Sequence, residues 1–338
     1  LDLLWHGDVA SEDPALTLPH PRLEDRVFVL APLAEIAPEH RLARSGRTVA
    51  ERLAELVEAS GGLHRTARLE SPDEARAWCE RARADGASVG FVPTMGALHE
   101  GHLELVRRAA RENDRVVVSV FVNPLQFDDP GDLARYPRDF EADATLLERA
   151  GCAMVFTGTL AGFFPEVSGE LGETGALPPE RLIDPGPAAL GLEGEFRPGH
   201  FAGVATIVDR LFDLVEPERA YFGLKDFQQC LVVRDLAARR GAPEIVACPT
   251  VREPSGLARS SRNRLLAPEW TLAALAIPRA LDAAQAAWDG GQRDADRLVE
   301  ALDVVLAPTE LTVEYAEVRD PERWGAARPA GPLEHAVV

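Results

Sequence analysis

The stretch PTMGALHEGH, residues 93–102, places His99 and His102 three residues apart directly after the apolar run VGFVP. An apolar strand ends there and a helix begins, which offers unpaired N–H groups and the positive end of a helix dipole to an anion. Gly96 and Gly101 remove side chains where a phosphate must approach the backbone. The i, i+3 spacing sets both imidazoles on one face as hydrogen-bond donors. The alternative is a pair of surface histidines that cap a helix. A metalloprotease helix is excluded, because that chemistry needs HExxH.

Three further segments carry donors suited to the same ligand. LARSSRNRLL, residues 257–266, brings two hydroxyls and a guanidinium through Ser260, Ser261 and Arg262, donors suited to a phosphate; alone it reads as a solvated basic loop. YFGLKDFQQ, residues 221–229, sets Lys225 beside Asp226 at a strand end, where the lysine can neutralise phosphate and the aspartate can take a ribose or adenine donor. FVNPLQF, residues 121–127, presents Gln126, whose neutral amide orients a hydroxyl or carboxylate without locking it.

The elements that must hold these segments follow from periodicity. From residue 66, apolar runs such as SVGFVP, VVVSVFV, CAMVF, RAYFG and EIVAC alternate with amphipathic helical stretches. That alternation predicts a doubly wound α/β domain with a parallel sheet and helices on both faces. Ligands of such sheets sit at the carboxyl ends of the strands. The expected division is residues 1–61, an α+β fragment; 66–249, a Rossmann-like domain; and 250–338, a small C-terminal α+β domain. In the first part RVFVL reads as β-like, and near the end LTVEYAEVRD reads as a strand. Residues 165–198, rich in Gly, Pro and Glu, read as a long functional or mobile loop.

The 338 residues carry 36 Lys plus Arg against 55 Asp plus Glu, a net charge of -19, which repels nucleic acid over most of the surface. Cys79, Cys152, Cys230 and Cys248 have neither CxxC nor zinc spacing and read as buried reduced thiols. No apolar window is long enough to span a membrane and no signal peptide is present, so a cytoplasmic protein is expected. The first residue is Leu and lies within an apparent strand, which points to a fragment of a longer product.

HxGH after a strand and a Gly-containing loop resembles the nucleotidyltransferase superfamily, which includes class I aminoacyl-tRNA synthetases. With FVNPLQF and YPRD, RPGHFAGVATIVDRLFDLVEP running into YFGLKDFQQ, and LARSSRNRLL in this order, the chain from residue 66 onward resembles the pantoate–beta-alanine ligase family. The resemblance implies that pantoate attacks the α-phosphate of Mg-ATP to give pantoyl adenylate, which β-alanine then converts to pantothenate and AMP. It implies catalytic roles for His102, His99 and Lys225. It implies an ATP site of Met95, Gly96, Ala97, Leu98, His99, Glu100, Gly101 and His102, with Gly223, Leu224, Lys225, Asp226, Val251, Arg259, Ser260, Ser261 and Arg262. Gln126 and Gln229 would hold pantoate, and Gln126 also β-alanine; Asp143 would neighbour magnesium, and Pro93, Val204 and Ile207 would pack the pantoate methyls. A homodimer is implied as well. Leu224 stands where the family usually has Glu, and Arg259 where it has an apolar residue.

Residues 1–60 resemble instead the C-terminal part of 6-hydroxymethyl-7,8-dihydropterin pyrophosphokinase, with Asp2 as the surviving magnesium aspartate and His20 and Arg26 as ATP contacts. No kinase activity is expected of this chain. Two alternatives compete with the ligase reading. Another nucleotidyltransferase, acting on a phosphorylated substrate, would need extra Arg or Lys in place of Gln126 and Gln229. A non-catalytic remnant would have lost phosphate-binding side chains, yet His99, His102, Lys225, Ser260, Ser261 and Arg262 are all present.

Overall fold

The computed structural model describes residues 11–13, 16–21, 23–25, 27–59, 66–167, 177–325 and 327–338. Its centre is a six-stranded sheet in the order β3 (Ala67–Leu69), β6 (Met154–Phe156), β5 (Arg115–Val120), β4 (Val89–Thr94), β7 (Arg219–Gly223) and β8 (Glu244–Cys248), with every neighbouring pair parallel. β4 and β5 are almost wholly buried, which is why their sequences are continuous apolar runs rather than alternating ones.

Helices cover both faces. Against one lie α3 (Pro72–Ala84), α9 (His200–Val215) and α10 (Phe227–Arg240), whose Ala75, Cys79, Leu211, Phe212, Val233 and Leu236 pack with Phe91, Val117 and Phe156 of the strands. Against the other lie α4 (Glu100–Glu112) and α6 (Phe140–Ala150), through Leu103, Val106, Ala144 and Leu147. Short helices α5 (Pro130–Arg135), α7 (Leu160–Phe163) and α8 (Glu193–Phe196) lie in the connections. The expected Rossmann-like architecture is therefore present. The strand order reverses beside β4, so its carboxyl end and that of β7 border the crevice where such sheets receive ligands.

Beyond the sheet, α11 (Pro268–Ala274) leads into α12 (Ala276–Asp289), which pairs with α13 (Ala295–Leu306) by seating Ala280 and Ala284 against Leu302 and Leu306. The expected strand over 311–320 does not form. Its residues have a single bridge, Arg319 with Val337, in place of a neighbouring strand, and side chains are committed sideways instead: Tyr315 to Glu193, and Glu317 to Arg319 and Arg328.

In the N-terminal part, β1 (Ser11–Asp13) pairs antiparallel with β2 (Leu16–Leu18). RVFVL is not β: α1 spans Val27–Ile36 and puts Leu30 and Leu33, three apart, against Leu42 and Val49 beside α2 (Val49–Ala59). Burial at helical spacing decides the conformation over the β-propensity of Val and Phe. Asp2 and Arg26 lie outside the described residues. All four cysteines are free and buried, as expected. Among the described residues no helix is long and apolar enough to cross a membrane.

Candidate active site

A cleft of ≈ 730 Å³ opens between the carboxyl edge of the sheet and the small C-terminal region. The end of β4 and the loop after it deliver Pro93 and Met95 to it, the start of α4 delivers His99, Gly101 and His102, and the end of β7 with the turn after it delivers Gly223, Lys225 and Asp226. Val251, Arg259, Ser260, Ser261 and Arg262 line it too, as do Gln126 and Gln229. The four chemistry-bearing segments thus meet in one space.

The capping reading of the histidine pair holds. His99 is the N-cap of α4, its Nδ1 accepting the Gly101 N–H at 3.1 Å, while His102 Nδ1 accepts the His99 N–H at 3.4 Å. This is a capping box in which imidazoles replace the usual hydroxyl and carboxyl. Because Nδ1 accepts in each ring, the hydrogen-bond network assigns the proton of each neutral imidazole to Nε2. Burial first, then Lys225 and Arg259, lowers the pKa of His99; burial first, then His99 and Lys225, pushes His102 down to about 3. The pair therefore stands in the cleft as two neutral N–H donors.

The rest of the 93–102 loop faces away. Gly96, Ala97, Leu98 and Glu100 do not line the cleft, although each was expected at the ATP site. Ala97 and Leu98 are buried, and Glu100 pairs with Arg107 on the outer face of α4. Leu224 is also absent from the lining.

Asp143 has a structural role that the sequence did not suggest. It lies beneath the loop on α6, 4% exposed, with one oxygen accepting the Ala97 N–H at 2.9 Å and the other the Leu98 N–H at 2.8 Å. Each oxygen accepts one backbone N–H, so Asp143 braces the loop from beneath. Burial outweighs those two hydrogen bonds and raises its pKa. Ala97 has φ +51°, a left-handed conformation unusual for a residue with a Cβ, and Asp143 holds it there.

Gln126 is positioned more elaborately than its sequence suggests. Its side-chain oxygen accepts from Asn123 Nδ2 at 3.1 Å, and Asn123, buried, donates also to the Gly203 carbonyl at 3.1 Å. Arg197 donates to the Gln126 carbonyl at 3.2 Å and His200 Nδ1 lies 2.9 Å from the same oxygen. With its carbonyl end held by Asn123, Gln126 offers its NH₂ group as donor. The approach of α9 requires Gly203: a Cβ there would meet the Leu125 carbonyl oxygen at 2.1 Å.

Val204 and Ile207 do not join the site. They lie on the face of α9 turned into the core, while His200 and Phe201, one turn earlier, reach the cleft. Sequence reasoning missed Glu193, Arg197, His200, Phe201, Tyr315 and Trp324, which also line it. The arginine and histidine of RPGH, two polar side chains at a helix start, were a usable signal. Described parts of the 165–198 connection are held: Gln228 Nε2 donates to the Ala188 and Gly191 carbonyls at 3.0 and 3.1 Å, and Tyr315 donates to Glu193 at 3.1 Å. Residues 168–176 lie outside the described set.

A parallel sheet with a histidine-capped helix at its strand-order reversal, sharing a cleft with a loop of hydroxyls and guanidiniums, defines an enzyme of the HIGH-type nucleotidyltransferase class. The family model described as pantoate-beta-alanine ligase matches residues 67–337. The chain belongs to that family. It is 50% identical over 257 residues to pantothenate synthetase of Rubrobacter xylanophilus, covering 75% of this chain and 87% of that one. It is 47% identical over 252 residues to the Brucella canis enzyme of the same name, covering 74% and 82%. The crystal structure of pantothenate synthetase from Thermus thermophilus superposes with a TM-score of 0.68 at 45% identity, covering 76% of this chain and 88% of that chain. A Francisella tularensis pantoate-beta-alanine ligase complexed with beta-gamma ATP and beta-alanine superposes with a TM-score of 0.59 at 32% identity, covering 71% and 86%. The family match begins after the segment likened to a pterin pyrophosphokinase and says nothing of it.

Proposed function

We infer that the chain is an ATP-dependent ligase that joins pantoate to β-alanine through pantoyl adenylate, releasing pyrophosphate and AMP, and that the cleft beside His99 and His102 is where it does so. The observation that carries the placement is the pair of neutral Nε2–H donors in one cleft with Lys225, Ser260, Ser261 and Arg262.

In the first step a pantoate carboxylate oxygen attacks the α-phosphorus of ATP, and the bond to the bridging oxygen breaks to release pyrophosphate. In-line displacement of this kind needs positioning and charge stabilisation rather than a protein nucleophile. His102 and His99 donate through Nε2 to phosphate oxygens, and Lys225 neutralises charge that develops there. Ser260, Ser261 and Arg262 receive the pyrophosphate, with Arg259 nearby. Met95, Gly101, Gly223, Asp226 and Val251 complete the nucleotide's surroundings.

Gln126, its amide oriented by Asn123, donates to pantoate and then to the β-alanine carboxylate; Gln229 holds pantoate from the other side. Pro93 and Phe201 supply the apolar wall for the pantoate methyls, in place of Val204 and Ile207. In the second step the neutral amine of β-alanine attacks the acyl carbon, AMP leaves, and the amine loses a proton to solvent.

Among the described residues no group of three His, Cys, Asp or Glu could hold an ion. Magnesium would be held mainly by the triphosphate and would supply neutralisation of phosphate charge there. A homodimer belongs to the same proposal and is read by light scattering. The deciding experiment is ATP–pyrophosphate exchange: it appears with pantoate, and AMP release follows addition of β-alanine. Exchange that is absent with pantoate, or unchanged without it, overturns the reading.

A further inference from the structure

Arg262, from the second phosphate-binding loop, reaches across the mouth of the cleft to α5. Its Nη2 donates to Asp132 Oδ2 at 2.9 Å, and its guanidinium lies 5.9 Å from the centre of the Tyr136 ring. Tyr136 is buried, set edge-on to Phe127 at 5.7 Å, so the seat beneath the guanidinium is rigid. Neighbouring carboxylates are engaged elsewhere: Asp128 with Arg197 and Asp129 with Arg135. Asp132 is thus the carboxylate of this segment that faces the loop, and it takes the same donor that a pyrophosphate would need.

We propose that Asp132 is a positioning residue that parks Arg262 over the cleft before ATP arrives, surrenders it to the phosphates, and reclaims it as pyrophosphate departs. The proposal rests on the reading of this cleft as the ATP site. A guanidinium binds a phosphate in the same forked manner as a carboxylate, and a polyphosphate carries more charge than Asp132 can offer. The Asp132–Arg262 pair is partly exposed, hence weak enough to be exchanged. Parking holds the loop near its working position, while the competing carboxylate keeps pyrophosphate from binding too tightly to leave.

The test is titration calorimetry of the full chain with sodium pyrophosphate and with ATP. Asp132→Asn should bind both about two- to fivefold tighter, as expected for removal of an exposed competing charge. Its KM for ATP should fall while that for pantoate stays the same. In an Arg262→Ala background the same substitution should change nothing. Unchanged or weaker binding in Asp132→Asn overturns the proposal, as does an equal gain without Arg262, which would mark simple loss of a negative charge. A structural defect would weaken binding, opposite in sign to the prediction. If the wild-type chain binds neither ATP nor pyrophosphate, the reading of the cleft itself falls, a result distinct from failure of the Asp132 variant alone.

Discussion

His102 Nδ1 receives the backbone N–H of His99 at 3.4 Å, and the two rings stand 4.1 Å apart, so each imidazole closes the start of α4 with one nitrogen and keeps the other for the cleft. Structural and chemical roles can therefore be separated at His99. Asparagine is among the best N-cap residues but cannot place a donor where Nε2 stands. His99→Asn should retain thermal stability and lose adenylation, whereas His99→Ala should lose adenylation and about 1 kcal/mol of stability. Urea melts and pyrophosphate exchange on the two variants check this; equal stability loss in both would deny the cap.

His102→Ala should lower pyrophosphate exchange by about 10² to 10³, the range for removing one transition-state donor. Near-normal exchange would show that His102 is not catalytic.

Both histidines have folded-state pKa values below the ordinary 6.5, that of His102 at about 3. The unfolded chain therefore binds more protons between those limits. The stabilising contribution of His102 is fully present above pH 6.5 and is lost as pH falls towards 3, by up to about 1.4 kcal/mol per pH unit, and His99 acts in the same direction. In the same window kcat/KM for ATP in the exchange reaction should show no limb near pH 6.5, because that profile reports the free enzyme. A limb there that vanishes in His102→Gln would overturn the neutral-donor assignment.

Gly203→Ala drives a methyl into the Leu125 carbonyl and, at 2.9 Å, the Gln126 nitrogen. The Gln126 segment must move, so KM for pantoate should rise well before that for ATP. Gln126→Ala should show the same preference. Equal effects on both substrates would remove Gln126 from the pantoate site.

Asp143→Asn places an NH₂ group against one of two backbone N–H donors, at a cost of about 1–3 kcal/mol for the unsatisfied bond. Denaturant midpoints should fall, while the magnesium concentration giving half-maximal activity should stay unchanged. A shift in that concentration would restore Asp143 as an ion neighbour.

The parallel sheet was legible because strands buried on both faces read as continuous apolar runs, and three of the four ligand segments were legible because each ends such a run; LARSSRNRLL follows β8 only after an intervening loop. What sequence could not reveal was direction. Val204 and Phe201 lie on one helix three residues apart, and only the packing of α9 decides which meets the core and which the cleft. Asp143 looked like a ligand because an acidic residue near phosphate chemistry suggests a metal; its amide partners lie more than forty positions away. Tyr315 was hidden in a run whose β-like composition found no neighbouring strand.

The Asp143 brace also determines how the site responds to different nucleotides. Ala97 is held at φ +51° by a buried carboxylate, so the loop takes its shape when the protein folds and not on binding. Little backbone freedom remains to be lost on binding. A series of ATP analogues should then differ in affinity according to their own groups, with nearly constant binding entropy from the protein, as with a mould that is cast before it is filled.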